Sequence, residues 1–199
     1  MKPAILTVGH SNHELGQLLR ILRANQVTAV ADIRTEPYSG FNPQFGRETL
    51  KSSLETSGIN YVFLGDELGA RPKDAACYKG NKVQYKLMAE TPLFKEGLKR
   101  VVSGSERHRI ALLCAEKDPL LCHRSVLISR ELEALGMDVF HILEDGRLES
   151  QDEAMNRLLE KFGLDGVDLF RTREQVIEDA CAQQEDEVAY VNPSIDDGM

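Results

Sequence analysis

No apolar run in these 199 residues approaches the ~20 needed for a membrane-spanning helix. There is no basic surplus either: 24 Lys and Arg stand against 32 Asp and Glu, a formal net charge of -8. A chain built to neutralise nucleic-acid phosphates would lean the other way. Cysteine is sparse and irregularly spaced, at Cys77, Cys114, Cys122 and Cys181, with no C-x-x-C and no standard zinc-ligand spacing. Residues 1–8, "MKPAILTV", read as a first strand and not as a signal peptide. A cytoplasmic location with four free thiols is therefore the expectation.

What is present is ordinary for one folded unit: 42% hydrophobic and 28% charged residues. The acidity is uneven. From Glu174 onward there are eight acids and no Lys or Arg, leaving 24 acids against 24 bases before it. The expected organisation is an α/β domain over 1–163 and an acidic C-terminal extension over 164–199, partly helical or extended and largely solvated.

Five short apolar runs, at 4–8, 28–33, 59–64, 110–114 and 139–143, are continuous rather than alternating. That pattern fits strands buried on both faces of a parallel sheet. Between them Leu15, Leu18, Leu19 and Leu22 repeat with helical spacing, and Leu121, Ile128, Leu132 and Leu135 do the same for a later helix. Ser11 to Glu14 and Ser150 to Glu153 fit capping boxes. Thr91-Pro92 fits a helix start, and Gly58, Gly104, Gly136 and Gly163 fall where C-terminal caps belong. The fold expected is a three-layer α/β unit, an open, mostly parallel five-stranded sheet with helices on both faces, Rossmann-like or flavodoxin-like.

Elaboration is confined to strand-to-helix connections. Residues 35–46 and 65–84 form the long ones, at the carboxyl edge where ligands bind in such sheets; the second reads as a lid. They carry aromatics (Tyr38, Phe41, Phe45, Tyr78) and bases (Arg71, Lys73, Lys79, Lys82), interleaved with acids.

Reactive residues gather at the same edge: Gly9-His10-Ser11 after the first run, Asp32 and Arg34 after the second, and "LLCAEKDPLLCHR" (112–124) after the fourth. Cys122, near a helix start opened by Asp118-Pro119, is the candidate reactive thiol, because helix amides and the neighbouring His123 and Arg124 favour a thiolate. Cys114 closes a strand and reads equally as a small buried hydrophobe. Arg34 and Arg124 are candidate anion clamps, whose blander alternative is salt bridging or solvation. Asp32 and Glu116 are candidate acid/base groups, and His10 is either a proton shuttle or a core histidine. Ser11 is better placed as a cap than as a nucleophile. His13, on an exposed helix side, and His108, in a turn, read as incidental. A metal would take Cys114, Cys122 and His10 with a carboxylate; Cys122 and His123 would share an ion only if the helix began after them, since helical neighbours point ~100° apart. A Cys114–Cys122 redox pair is a lesser option.

The blocks "TVGHS" (7–11), "ADIRTEPYSGFNPQF" (31–45), "GINYVFLGDELGARP" (58–72) and "LLCAEKDPLLCHR" (112–124), in this order, resemble the family catalogued as domain of unknown function 488. The segment "LFRTREQVIEDACAQQEDEVAYV" resembles the continuation in longer members. The resemblance implies a site built from Gly9, His10, Ser11, Asp32, Arg34, Glu116, Cys122, His123 and Arg124. The chain departs from it at Leu68-Gly69-Ala70, where Leu-Gly-Gly is expected, and at Gly40, where an arginine is expected.

The reading reached is an enzyme acting on a small anionic substrate, phosphorylated or nucleotide-like, with Cys122 reactive, Cys122, His10, Asp32 and Glu116 catalytic, and Arg34, Arg124, Ser11, Gly9 and His123 holding substrate. The alternatives are a nucleic-acid-associated module without turnover, which is not favoured, and a metal-binding or structural domain. No motif indicates a cofactor, and none points to a membrane partner.

Overall fold

The structure, a computed structural model, describes residues 4–38, 42–166 and 169–195. Its main sheet is built from β1 (Ala4–Gly9), β2 (Ala29–Asp32), β3 (Asn60–Phe63), β6 (Ile110–Cys114), β7 (Asp138–Ile142) and β8 (Leu148–Ser150). The order is β3-β2-β6-β1-β7-β8. Five strands run parallel and β8 pairs antiparallel on β7. The sixth strand is an addition to the expected five: three residues of "LES" carry no apolar pattern, and pairing with β7 alone defines them. A separate hairpin joins β4 (Tyr78–Lys79) to β5 (Lys82–Val83).

The alternation of side chains along each strand divides the core into two layers. Leu6, Val8, Val30, Ala111 and Leu113 face α1 (Leu15–Ala24) and α2 (Arg47–Thr56). Ile5, Ala31, Leu112 and Cys114 face the opposite layer of α4 (Tyr85–Glu90), α5 (Pro92–Ser105), α6 (Arg130–Ala134), α7 (Gln151–Lys161) and α8 (Arg173–Val188). This is the three-layer α/β arrangement the runs imply. Among the described residues no helix is long and apolar enough to cross a membrane.

Several local expectations hold. Ser150 and Glu153 form a capping box, Thr91 caps α5 through the Phe94 amide, and Gly58, Gly136 and Gly163 take positive φ after helices. Others fail for tertiary reasons. The Ser11–Glu14 box does not form; Glu14 occupies the N-cap place of α1 without a side-chain bond. Ser11 instead has φ 48°, and its amide donates to the Ala115 carbonyl at 2.9 Å, so this stretch prolongs the β1–β6 pairing. His13 is buried rather than exposed. Gly104 lies within α5, not at its cap.

The later leucine stripe also breaks. Leu121 sits exposed in a 3-10 turn (Pro119–Leu121), and Leu135 is exposed too. Between them residues Arg124–Ser129 wind as a π-helix that buries Val126, Leu127 and Ile128 in succession. The wider winding rotates the apolar face away from the α-helical spacing.

The long 65–84 connection is not a bare lid. It contains α3 (Gly65–Leu68), a 3-10 turn (Ala75–Cys77) and the hairpin. The C-terminal segment fastens it: Val83 N donates to the Tyr190 carbonyl (3.0 Å), Asn192 N to that of Asn81 (2.7 Å), and Tyr85 N to Glu185 Oε1 (2.6 Å). Nor is α8 solvated on all sides. Val176, Ile177, Ala180, Cys181 and Gln184 are buried, while Glu174, Glu178 and Asp179 face outward. Ser39, Gly40 and Phe41 lie outside the described residues, so the glycine in place of arginine at 40 and the aromatic at 41 have no placement.

Candidate functional site

β1 and β6 are neighbours in register, with Gly9 beside Cys114. Their continuations leave in different directions: β1 leads through α1 to β2, and β6 leads through α6 on the opposite layer to β7. A crevice opens at such a divergence. It has a volume of about 520 Å³ and is lined by His10, Ser11, Arg34, Tyr85, Cys114, Glu116, Cys122 and His123, among others.

The floor is the segment after β6. Cys114 ends the strand pointing toward the α6 layer, and Cys122 returns beside it after a loop pinned from several sides. Asp118 caps the 3-10 turn through the Leu120 amide (3.0 Å) and pairs with Arg157, which also holds Glu149. Gln184 of α8 donates to the Leu120 carbonyl at 2.9 Å. Arg124 donates Nη1 to the Glu116 carbonyl (2.7 Å) and Nη2 to that of Lys117 (2.9 Å).

Arg124 thus turns two of its donors onto backbone carbonyls. It is completely buried, does not line the crevice, and among the described residues pairs with no carboxylate. Backbone carbonyls accept from both of its Nη groups, while its Nε is buried with no hydrogen-bond partner among the described residues. Gly9 does not line the crevice either. A Cβ built there would stand 1.8 Å from the Glu116 carbonyl oxygen and 2.9 Å from Arg124 Nη1. The glycine lets the loop lie against β1, where His10 N also donates to the Cys114 carbonyl at 2.9 Å.

Asp32 is fully buried and does not line the crevice. Its Oδ1 accepts Arg34 Nε (2.8 Å), and its Oδ2 accepts Arg34 Nη2 (2.6 Å) and the Tyr61 hydroxyl (2.8 Å). Burial and this carboxylate push the Tyr61 hydroxyl well up, so it remains a donor. Asp32 thus orients Arg34. Arg34 Nη1 also reaches the Phe45 carbonyl (2.9 Å). Three of the five N–H groups of the guanidinium are engaged, and the others remain at the crevice wall.

His10 stacks on buried Phe45, ring centroids 4.3 Å apart, and its Nδ1 donates to the Ser11 carbonyl at 2.9 Å. Burial, aided by the Arg34 charge, holds it below the usual imidazole range. Its Nε2 is then a lone-pair acceptor near neutral pH.

The thiols are close. Cys122 Sγ lies 3.0 Å from Cys114 Sγ, and Cys114 Sγ lies 2.8 Å from Glu116 Oε2. The adjacent Cys122 sulfur, and then burial, push the Cys114 thiol well up. For Glu116 burial favours protonation, but the bond from Cys114 and further bonds outweigh it and the carboxyl is held low. For His123 burial opposes charge, but the Cys114 sulfur, the Leu68 carbonyl and Glu116 raise it overall.

Cys122 itself is extended (φ -150°, ψ 148°), and helical dihedrals begin at His123. The Arg124 amide points at Cys122 Sγ, 3.5 Å away, as at a helix start. Because the helix begins after Cys122, both it and His123 reach one point: His123 Nδ1 lies 3.4 Å from Cys122 Sγ. Cys114, Cys122 and His123 present donor atoms all within 4.8 Å of one another. His123, not His10, therefore completes the thiol cluster.

One residue escaped the sequence reading. Tyr85 is buried at the crevice, and among the described residues its hydroxyl has no hydrogen-bond partner. Burial first, then nearby Cys122, Glu185, Cys114 and Glu116, push it strongly up. A tyrosine at the first position of a helix carries no signal for this. Arg157 and Gln184, which hold the loop from far along the chain, are equally silent in sequence.

No curated protein and no solved structure matches the chain. The family model described as "Domain of unknown function DUF488" matches residues 14–130, more than half of the chain, from α1 through the whole cysteine loop. The chain belongs to this family.

Proposed function

We propose that the crevice is the active site of an enzyme acting on a small anionic substrate, phosphorylated or nucleotide-like, with Cys122 as the reactive thiol. The observation that carries this reading is the Tyr85 hydroxyl, buried without a partner among the described residues in a crevice that also gathers two thiols, two imidazoles and two guanidinium groups. A buried polar group left unpaired costs stability, and a ligand oxygen would satisfy it. Arg34 offers its remaining N–H groups to the anion beside Ser11, and His123 closes that wall. Neutral His10 and ionised Glu116 are the proton acceptors, and Cys122 gives up its proton as its sulfur bonds the substrate's phosphorus and the P–O bond to the leaving alcohol breaks, that oxygen leaving with the proton. Asp32, Arg124 and Gly9 position these groups.

Binding along a nucleic-acid strand has less support. Phe45 is buried under His10, and Arg71, Lys73 and Lys82 pair with Glu36, Asp66 and Asp186.

The test is alkylation of the thiols by iodoacetamide, followed by peptide mass spectrometry. Cys122 is buried like Cys77 and Cys181 but lines the crevice, and is expected to react ahead of them. Inorganic phosphate and nucleoside monophosphates should slow it in the wild type, and less so in Tyr85→Phe and Arg34→Lys. Absence of protection, together with unchanged turnover of a phosphomonoester panel by Cys122→Ser, would overturn the proposal.

A further inference from the structure

The geometry points to a metal site: Cys114, Cys122, His123 and Glu116 together bind one thiophilic divalent ion of the zinc class at the crevice floor. The inference deepens the reading above and rests on it in one respect, that the ion would hold Cys122 as the reactive thiolate.

The donor set is the first argument. Two sulfurs 3.0 Å apart and an imidazole nitrogen 3.4 Å from one of them belong to a group of donor atoms all within 4.8 Å of one another, and the Glu116 carboxylate, 2.8 Å from the Cys114 sulfur but outside that group, stands beside them. Zinc takes thiolate, imidazole and carboxylate donors at ~2.0–2.3 Å in a tetrahedron, so small outward movements of the sulfurs and the imidazole, with a turn of the Glu116 carboxylate toward them, would admit it. Soft thiolates select zinc-like ions over magnesium or calcium.

The orientation of His123 is the second. Its Nε2 lies 2.8 Å from the Leu68 carbonyl, which can only accept, so that nitrogen carries the proton and Nδ1 turns its lone pair to the sulfurs. Metal-bound histidines are held in this way by an outer partner. A Cys114–Cys122 disulfide would also suit close sulfurs, but it would need neither the imidazole so oriented nor the carboxylate.

The rigidity of the loop is the third. Arg124, Arg157 and Gln184 fix the 115–121 segment between the two cysteines, so donors eight residues apart are pre-positioned. Uptake would replace the two thiol protons, releasing them to solvent as the M–S bonds form. A metal-held thiolate at Cys122 then remains nucleophilic at neutral pH.

The test uses the full-length chain, purified without tag, reduced, stripped with a chelator and titrated with Co²⁺, then with Zn²⁺ in competition. One equivalent is expected, with thiolate-to-cobalt charge-transfer absorption and tetrahedral-type visible bands. Cys114→Ser, Cys122→Ser and His123→Asn should each weaken Zn²⁺ binding beyond the ~10–100-fold typical of losing an outer partner, and Glu116→Gln by at least ~10-fold. The wild-type cobalt spectrum does not depend on any variant folding, and circular dichroism checks those that do. A wild type without thiolate charge transfer, cysteine variants of full affinity, or a protein that forms the Cys114–Cys122 disulfide yet takes up no metal once reduced would each overturn the inference. Metal binding with an unreactive Cys122 would instead overturn the enzymatic reading alone. Phosphate protection of Cys122 without metal uptake would overturn only the metal site.

Discussion

Replacing Gly9 by alanine tests the contact on which the crevice floor is built. The added Cβ would lie 1.8 Å from the Glu116 carbonyl oxygen, 2.7 Å from its carbon and 2.9 Å from Arg124 Nη1. Two of these atoms are backbone, and the third belongs to a guanidinium bonded to that same backbone. To restore ordinary contact the loop must retreat by well over 1 Å, against its bonds from His10 N, Ser11 N and Arg124. Overpacking costs typically ~1–3 kcal/mol and more where backbone must shift, so about 3 kcal/mol is expected. The gain from restricting the unfolded chain, ~0.4–1 kcal/mol, does not offset it. At ~2–4 °C per kcal/mol for a chain of this size, the Tm should fall by about 6–12 °C. Exposed Gly16 in α1 is the control, since its Cβ would meet nothing nearer than Arg20 Nη1 at 3.8 Å. There alanine should be neutral or slightly stabilising. Thermal unfolding followed by circular dichroism reads both. A Gly9→Ala Tm within ~1 °C of wild type would refute the packing described for the loop.

Two further outcomes follow from buried polar groups. His141 is fully buried, with Nδ1 bonded to the Thr7 hydroxyl and Nε2 to Gln151 Oε1, both at 2.7 Å, and burial followed by the Arg124 charge pushes it down to about 3. The unfolded chain binds this proton below ~6.5 and the native protein only below about 3, so stability falls as pH drops through that window. About 2 kcal/mol should be lost by pH 5, measured by urea unfolding, and a His141→Gln variant without that slope would confirm the source. Asp32→Ala leaves the Arg34 guanidinium without its bidentate carboxylate and should cost about 3–5 kcal/mol, whereas Tyr61→Phe removes one hydrogen bond and should cost about 1 kcal/mol. Denaturant midpoints that place the two variants level would contradict the assigned geometry.

Periodicity and punctuation were sufficient for the five parallel strands, the capping of α5 and α7, and the edge on which His10, Arg34, Glu116 and Cys122 meet, because buried strands and helix ends impose local demands on residue type. Local pattern misled where a distant contact outweighed it: Ser11 gave up its cap to pair with Ala115, and the π-wound turn at 124–129 carried Leu121 and Leu135 out of the core. The roles of charged residues lay beyond the sequence as well. Arg34 and Arg124 look alike in the chain, yet one faces the crevice and the other grips two carbonyls inside the fold, and nothing short of packing distinguishes them.

The sequence by itself determined a three-layer α/β protein with its polar chemistry at one sheet edge, since hydrophobic burial with strand and helix periods leaves few other arrangements. Tertiary structure alone decided which groups share a point in space: His123 rather than His10 beside the sulfurs, and Tyr85, Arg157 and Gln184 around them. Those placements depend on side-chain directions and on contacts between residues up to 100 positions apart, which no local spacing encodes.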